Sequence, residues 1–189
     1  MEIDNEITVL VKTDYDALQK ELYEKDFKIE EEYLVNDVYM LDERVDISNM
    51  NYLDILKNCI LVRDIVGFEK QLLYKHKKYD NNGDILEQGK VKCPIEDINK
   101  AIKFMEAIQY KKIFTISDNC IVYKNNKNKL AIELVNDKYT CIGMESNEND
   151  NKNIDELKQD LLSYNLPIDK TNFFVKKAQI ELKEVLEND

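Results

Sequence analysis

The stretch Leu130-Ala131-Ile132-Glu133-Leu134-Val135-Asn136-Asp137-Lys138-Tyr139-Thr140-Cys141-Ile142-Gly143-Met144-Glu145 consists of two alternating runs joined by a short polar segment. Ile132 and Leu134 flank Glu133, while Ile142 and Met144 alternate with Cys141, Gly143 and Glu145. Side chains along a strand point to opposite faces with a period of two. Each run therefore has one apolar face and one face of small or acidic residues. Asn136-Asp137-Lys138 has the composition of a tight turn. The stretch predicts an antiparallel hairpin with unlike faces.

The same pattern extends in both directions. Lys112 to Lys124 reads as a further strand, turned at Asn125-Asn126-Lys127-Asn128. Before it, Ile95 to Tyr110 carries Ile98, Ala101, Ile102, Met105 and Ile108 at helical spacing, with Glu96-Asp97 expected in the first turn. Phe68 to Tyr79 and Ile85 to Cys93 flank Asn81-Asn82-Gly83-Asp84, a hairpin signal because Asn-Gly tolerates positive φ. Cys59 to Val66 is strand-like until Gly67 breaks it, a short helix covers Tyr52 to Leu56, and Ile29 to Met40 is extended. At the start, Ile7, Val9 and Val11 alternate with Glu6, Thr8, Leu10 and Lys12. Thr13-Asp14 then caps a helix bearing Leu18, Leu22 and Phe27. After a polar loop at Asn147 to Asn153, Ile154 to Tyr164 and Asn172 to Leu186 read as two helices broken at Pro167.

A strand, a helix and further strands thus occur twice, from Glu6 and again from about Lys90. The expectation is an α+β fold in a single domain spanning 1–189. Its eight-stranded antiparallel β-barrel would cover about 2–146, with helices packed outside and C-terminal helices at about 154–187.

Composition narrows the chemistry. The 189 residues are 43% apolar, enough for a filled core, and 27 basic against 38 acidic residues leave a net charge of -11. Such a molecule repels a phosphate backbone as a whole, so non-specific nucleic-acid binding is not expected, although a local basic pocket is compatible with it. No run of 18 apolar residues or signal-like N-terminus is present, so no membrane partner and a cytoplasmic location are expected. Cys59, Cys93, Cys120 and Cys141 form no Cys-x-x-Cys pair and read as reduced thiols, mostly buried. The single histidine, His76, cannot build a metal cage and is expected to be exposed between Lys75 and Lys77. With 4 glycines, neither a Gly-x-Gly-x-x-Gly nor a Walker sequence occurs.

Charge on an inward barrel face is costly unless paired or ligand-bound. Glu6 lies opposite the face of Ile7 and Val9, Arg63 shares a face with Leu61 and Ile65, and Lys75 shares one with Leu73 and Lys77. Glu133 and Glu145 stand opposite the aliphatic faces of the hairpin. Taken singly, each fits a solvated charge on an exposed strand face. Together, carboxylates that hold Mg²⁺ or Mn²⁺ and cations that neutralise phosphate oxygens would suit a metal-chelated polyphosphate.

The hairpin from Leu130 to Glu145 resembles the late hairpin of CYTH domains, the triphosphate tunnel metalloenzymes. Asn36-Asp37-Val38-Tyr39-Met40-Leu41-Asp42 resembles the family's Asp-x-Tyr-Phe-Asp segment, and Leu72-Leu73-Tyr74-Lys75 its Leu-Thr-Tyr-Lys strand. Ala107-Ile108-Gln109-Tyr110 is similar to its Leu-Gly-Phe helix end, with Gln109 in place of Gly. The order of elements agrees over about residues 6 to 146. The first-strand hallmark Glu-x-Glu-x-Lys falls on Glu6-Ile7-Thr8-Val9-Leu10, keeping the first Glu. A rival register, Glu2-Ile3-Asp4-Asn5-Glu6, keeps two acids and no Lys; the first preserves the spacing to the helix.

Carried over by this resemblance, Glu6, Glu133 and Glu145 are the metal positions, while Arg63 and Lys75 bind phosphate. Family charges are replaced at Thr8, Leu10, Leu61, Asp118, Cys120 and Gly143. The resemblance implies a divergent, Mg- or Mn-dependent hydrolase of tripolyphosphate, a nucleoside triphosphate or thiamine triphosphate. Adenylate cyclisation is less supported, since nothing identifies a base pocket. Two alternatives stay open: a catalytically degenerate tunnel-fold protein that binds a polyanion or protein partner, and an α+β module whose acidic face binds a basic partner.

Overall fold

β1 (Glu6–Leu10) and β8 (Tyr139–Glu145) owe their pairing to the alternation just described: Ile7 faces Met144 and Val9 faces Ile142 across an antiparallel ladder, and all four are buried. The computed structural model describes residues 5–79, 85–146 and 152–188, with backbone only for 77–79 and 85–88. Along the chain follow α1 (Tyr15–Glu24), β2 (Lys28–Asp42), α2 (Tyr52–Lys57), β3 (Cys59–Ile65), β4 (Glu69–Tyr79) and β5 (Ile85–Pro94). Then come α3 (Ile98–Ala107), β6 (Tyr110–Lys124), β7 (Lys129–Val135), β8, α4 (Ile154–Ser163) and α5 (Lys177–Asn188). The eight strands form one antiparallel sheet in the order β1-β8-β7-β6-β2-β3-β4-β5. The α+β class and the strand count are as expected. The Asn81–Asp84 turn, residues 2–4 of the rival first-strand register and residues 147–151 of the polar loop lie outside the described residues.

The expected closure into a barrel is not made by strand pairing, because no β5–β1 ladder is present among the described residues. The outer edge of β1 is instead covered by the chain that follows α4. The Thr8 N–H donates to the Phe173 carbonyl at 2.9 Å and the Val175 N–H to the Thr8 carbonyl at 3.0 Å. Asp169 donates to Leu10 at 2.8 Å, and Lys12 to Pro167 at 2.7 Å. These bonds satisfy backbone groups that an edge strand would otherwise present for pairing. They also correct the last helix: residues 172–175 are held extended against β1, so α5 starts at Lys177 rather than Asn172.

Two compact units emerge. One comprises 5–33 and 118–175, the other 34–117 and 176–188. In the first, Ile7, Val9, Ile121, Tyr123, Leu130, Ile132, Ile142 and Met144 turn their face to Leu18 and Leu22 of α1 and Leu157 and Leu161 of α4. Asp14 caps α1 by accepting from the Ala17 N–H at 2.8 Å, as the Thr13-Asp14 signal predicts, but the helix ends at Glu24, and Phe27, expected on it, reaches the same core from beyond the left-handed Asp26 (φ 62°). The Asn136-Asp137 turn has both residues at positive φ (48° and 56°), the backbone of a type I′ hairpin. In the second unit, Met105 of α3 is buried on Met40 and Val62, with Val38, Ile60, Leu72, Ile98 and Ile102 around it. Asp97 is the N-cap of α3 and accepts from Lys100 N–H at 2.9 Å, so it precedes the first turn in which it was expected.

Gln109, immediately after α3, has φ 70°. A left-handed residue ends many helices, and glycine takes that conformation without the Cβ penalty. This is also the position where the resembled family has glycine. Gln109→Gly is expected to stabilise the protein by about 0.5–1 kcal/mol, the relief of left-handed strain exceeding glycine's entropic cost. The check is a urea titration; a loss of stability would contradict this account of the turn.

Candidate functional site

The face of β2–β3–β4 opposite α3 carries the polar groups. Antiparallel register places Asp37 across from Arg63 and Arg63 across from Gln71. Two residues along on the same face, Tyr39, Leu61 and Leu73 form the next row. Leu61 and Leu73 are buried, and the Tyr39 ring stacks on Phe114 at 4.3 Å and 14°. Leu61, where the resembled family has an Arg, thus forms part of an apolar floor beside the ionic row.

Within that row, Asp37 accepts from Arg63 Nε at 2.7 Å and from Arg63 Nη2 at 2.6 Å. The pair is a fork–fork bridge whose side chains are 6% and 21% exposed, respectively. Burial pushes the Asp37 carboxyl up, but the Arg63 hydrogen bonds and charge, with the charges of Lys75 and Lys177, hold it below the ordinary carboxylate range. Burial raises the Tyr39 phenol, and the Asp37 charge raises it further. The Cys59 thiol is pushed up to about 12 by burial alone, so it stays protonated near neutral pH.

Lys75, half-buried on β4, lies four residues beyond Gln71 on the same face. Its Cα is therefore on the order of 13 Å along the strand from the Arg63 row. Lys177, half-buried, opens α5, and one turn later Glu181 is buried. Arg63 and Lys75, the expected phosphate positions, are thus brought to one face, and the charges of both act on Asp37. Sequence reading named neither Asp37 nor Lys177 as a site residue. The cross-strand register is the signal for Asp37. Lys177 has no motif and is delivered by the packing of the last helix.

The three carboxylate positions fall in the other unit. Glu6 and Glu145 are direct partners across the β1–β8 ladder. Glu133 pairs with Cys141 on one side and Cys120 on the other, on that same face but four residues from the Glu145 row, roughly 13 Å along the strand. Register brings Glu6 and Glu145 together and leaves Glu133 apart. Among the described residues no group of three His, Cys, Asp or Glu side chains is placed to hold a metal ion. Two facing carboxylates still suit a hard divalent cation, which commonly takes one or two carboxylates and completes its shell with water and phosphate oxygens.

Cys59, Cys120 and Cys141 are buried free thiols and Cys93 is exposed. His76 is half-buried rather than exposed, because its neighbour across the ladder is Gly89, which leaves the ring room against the sheet. No helix among the described residues is long and apolar enough to cross a membrane. The acidic excess is unevenly placed: residues 5–33 and 118–175 hold 11 basic and 19 acidic side chains, whereas 34–117 and 176–188 hold 16 of each. The Arg63–Lys75 face thus lies in stretches where basic and acidic residues balance, and repulsion of an anion is weaker there than in the acidic stretches.

No family model matches the chain, and no curated protein matches it in sequence. Solved structures do match in fold. The PH1819 protein of Pyrococcus horikoshii OT3 superposes with a TM-score of 0.64 at 17% identity, covering 98% of this chain and 99% of that one. A Vibrio parahaemolyticus protein proposed to be an adenylate cyclase gives 0.64 at 11% identity, with 98% of each chain covered. HpAC1 from Hippeastrum, described with a dominant triphosphatase activity, gives 0.53 at 12% identity over 90% of this chain and 91% of that one. At these identities the likeness concerns the fold alone.

The lowered Asp37 group makes stability depend on pH. A carboxyl depressed by folding stabilises fully above its unfolded value of about 4, and this contribution is lost as pH falls through that value to the native one. The stability difference between wild type and Asp37→Asn is expected to be constant above about pH 5 and to shrink below about pH 4. Urea titrations across this range check it; a difference independent of pH would contradict the assignment.

Proposed function

We propose that the protein binds an extended polyphosphate and hydrolyses a triphosphate, as a divergent CYTH-like protein. The observation that carries the reading is the basic face of β2–β4, where Arg63 is fixed by a buried carboxylate and Lys75 projects from the same surface. A guanidinium fork matches phosphate oxygens bidentately, and a lysine ammonium adds a mobile point charge. Their spacing along the strands favours an anion that is itself extended over a single phosphate. Tripolyphosphate, nucleoside triphosphates and thiamine triphosphate share that chemistry.

In this reading Arg63 and Lys75 bind phosphate, and Glu6 and Glu145 are the carboxylates that would hold Mg²⁺ or Mn²⁺. Glu133, expected with them, has the weaker claim because of its distance in register. A divalent ion would neutralise phosphate oxygens and lower the pKa of bound water. The charges replaced at Leu10, Leu61, Cys120 and Gly143 each remove an oriented group. Electrostatic sites elsewhere lose roughly 10²–10³ in rate per such group, so slow turnover is expected. The same replacements favour, as second reading, a tunnel-fold protein that retains anion binding without hydrolysis.

The test is phosphate release from tripolyphosphate, ATP and thiamine triphosphate with Mg²⁺ and then Mn²⁺, with cyclic AMP measured alongside for ATP. Turnover that falls at least about a hundredfold in both Lys75→Ala and Arg63→Ala is the expected result. Glu6→Gln and Glu145→Gln should lose turnover while keeping metal-free tripolyphosphate binding. Binding without release supports the second reading. Absence of both overturns the proposal.

A further inference from the structure

We propose that Asp37 is an internal competitor for the anion site, its carboxylate occupying the Arg63 fork until a polyphosphate shares or displaces it. The inference rests on the phosphate-binding reading of Arg63 and Lys75. Both Asp37 oxygens are committed to Arg63, at 2.7 Å and 2.6 Å, and the side chain is 6% exposed. A buried charge needs such a partner, so the bridge is the resting state of this row. Carboxylate and phosphate each present two oxygens to the planar guanidinium fork, so they compete for the same pair of donors. The cations whose charges act on Asp37 are Arg63, Lys75 and Lys177, the groups an incoming phosphate would also meet.

The consequence is selection by length and charge. A single phosphate gains little from displacing a carboxylate that is covalently tethered beside the fork at high effective concentration. A chain of phosphates offers oxygens to Lys75 and Lys177 as well, and those added contacts offset the repulsion from Asp37. Asp37 thus sets a threshold that favours polyphosphates over orthophosphate. Lys177 extends the site to α5.

The experiment is calorimetric titration of sodium tripolyphosphate and sodium phosphate into wild type and Asp37→Asn at low salt with Mg²⁺ present. A like charge about 5 Å from the ligand in a half-buried site is worth a factor of ten or more. The asparagine variant is therefore expected to bind tripolyphosphate about tenfold tighter and to discriminate less against orthophosphate. Should it fail to fold, Arg63→Gln is compared with the charge-balanced double variant Asp37→Asn/Arg63→Gln, and the double should bind tighter. Unchanged or weaker binding by a folded asparagine variant, with wild type binding well and Lys75→Ala not, overturns the competitor role and leaves the phosphate reading standing. If neither wild type nor any Asp37 variant binds tripolyphosphate, both fall. Binding that appears only in the asparagine variant supports the competitor in its strongest form.

Discussion

A strand has two faces, and in each of the two units the aliphatic face of the strands packs under helices. Everything else about the molecule follows from where the other face goes. Ile7, Val9, Ile132, Ile142 and Met144 meet α1 and α4, and Met40 and Val62 meet α3. The opposite face of the same strands carries Glu6, Asp37, Arg63, Lys75, Glu133 and Glu145. Because the period is two, a one-residue slip in any register would send these charges into an apolar core. The aliphatic half of each strand therefore positions the ionic half.

That coupling explains what could be read from residue order alone. Alternation in 130–145, the Asp14 cap and the left-handed Asn136-Asp137 turn are local, and local physics settles them. The edge of β1 is different. Nothing within Asn172-Phe173-Phe174-Val175 distinguishes a helix start from an extended segment. The backbone of Thr8, more than 160 positions earlier in the chain, makes that choice by exchanging hydrogen bonds with Phe173 and Val175. The same bonds occupy the edge that a closing strand would need. The occupied edge of β1 and the start of the last helix are thus two consequences of one long-range contact.

The candidate site divides along similar lines. Arg63 and Lys75 were legible because a charge on an otherwise aliphatic strand face is conspicuous. Asp37 was visible in a motif but had no assigned role, since only the register between β2 and β3 reveals that it meets Arg63. Glu133 shows the converse limit: sharing a face with Glu145 is necessary for sharing an ion, but four residues of strand separate their rows. Lys177 lies on a helix with no motif, and tertiary packing alone brings its charge to bear on Asp37 and Tyr39.

The pattern of replaced charges carries a physical constraint of its own. Leu61, where the resembled family has an Arg, suits the fold: it is buried in the row of Tyr39 and Leu73, beside the stack of Tyr39 on Phe114. Arg63 could not be replaced as cheaply. Removing it would strand the Asp37 carboxylate at 6% exposure, and breaking one half of a buried pair costs about 3–5 kcal/mol. Stability alone is thus sufficient reason for this bridge to be kept. Its presence by itself therefore does not separate an anion site from a structural pair. A polyanion needs more than one cation on that face, and the register supplies the second in Lys75, half-buried four residues along β4 from Gln71; the functional reading therefore turns on positions 63 and 75 acting together.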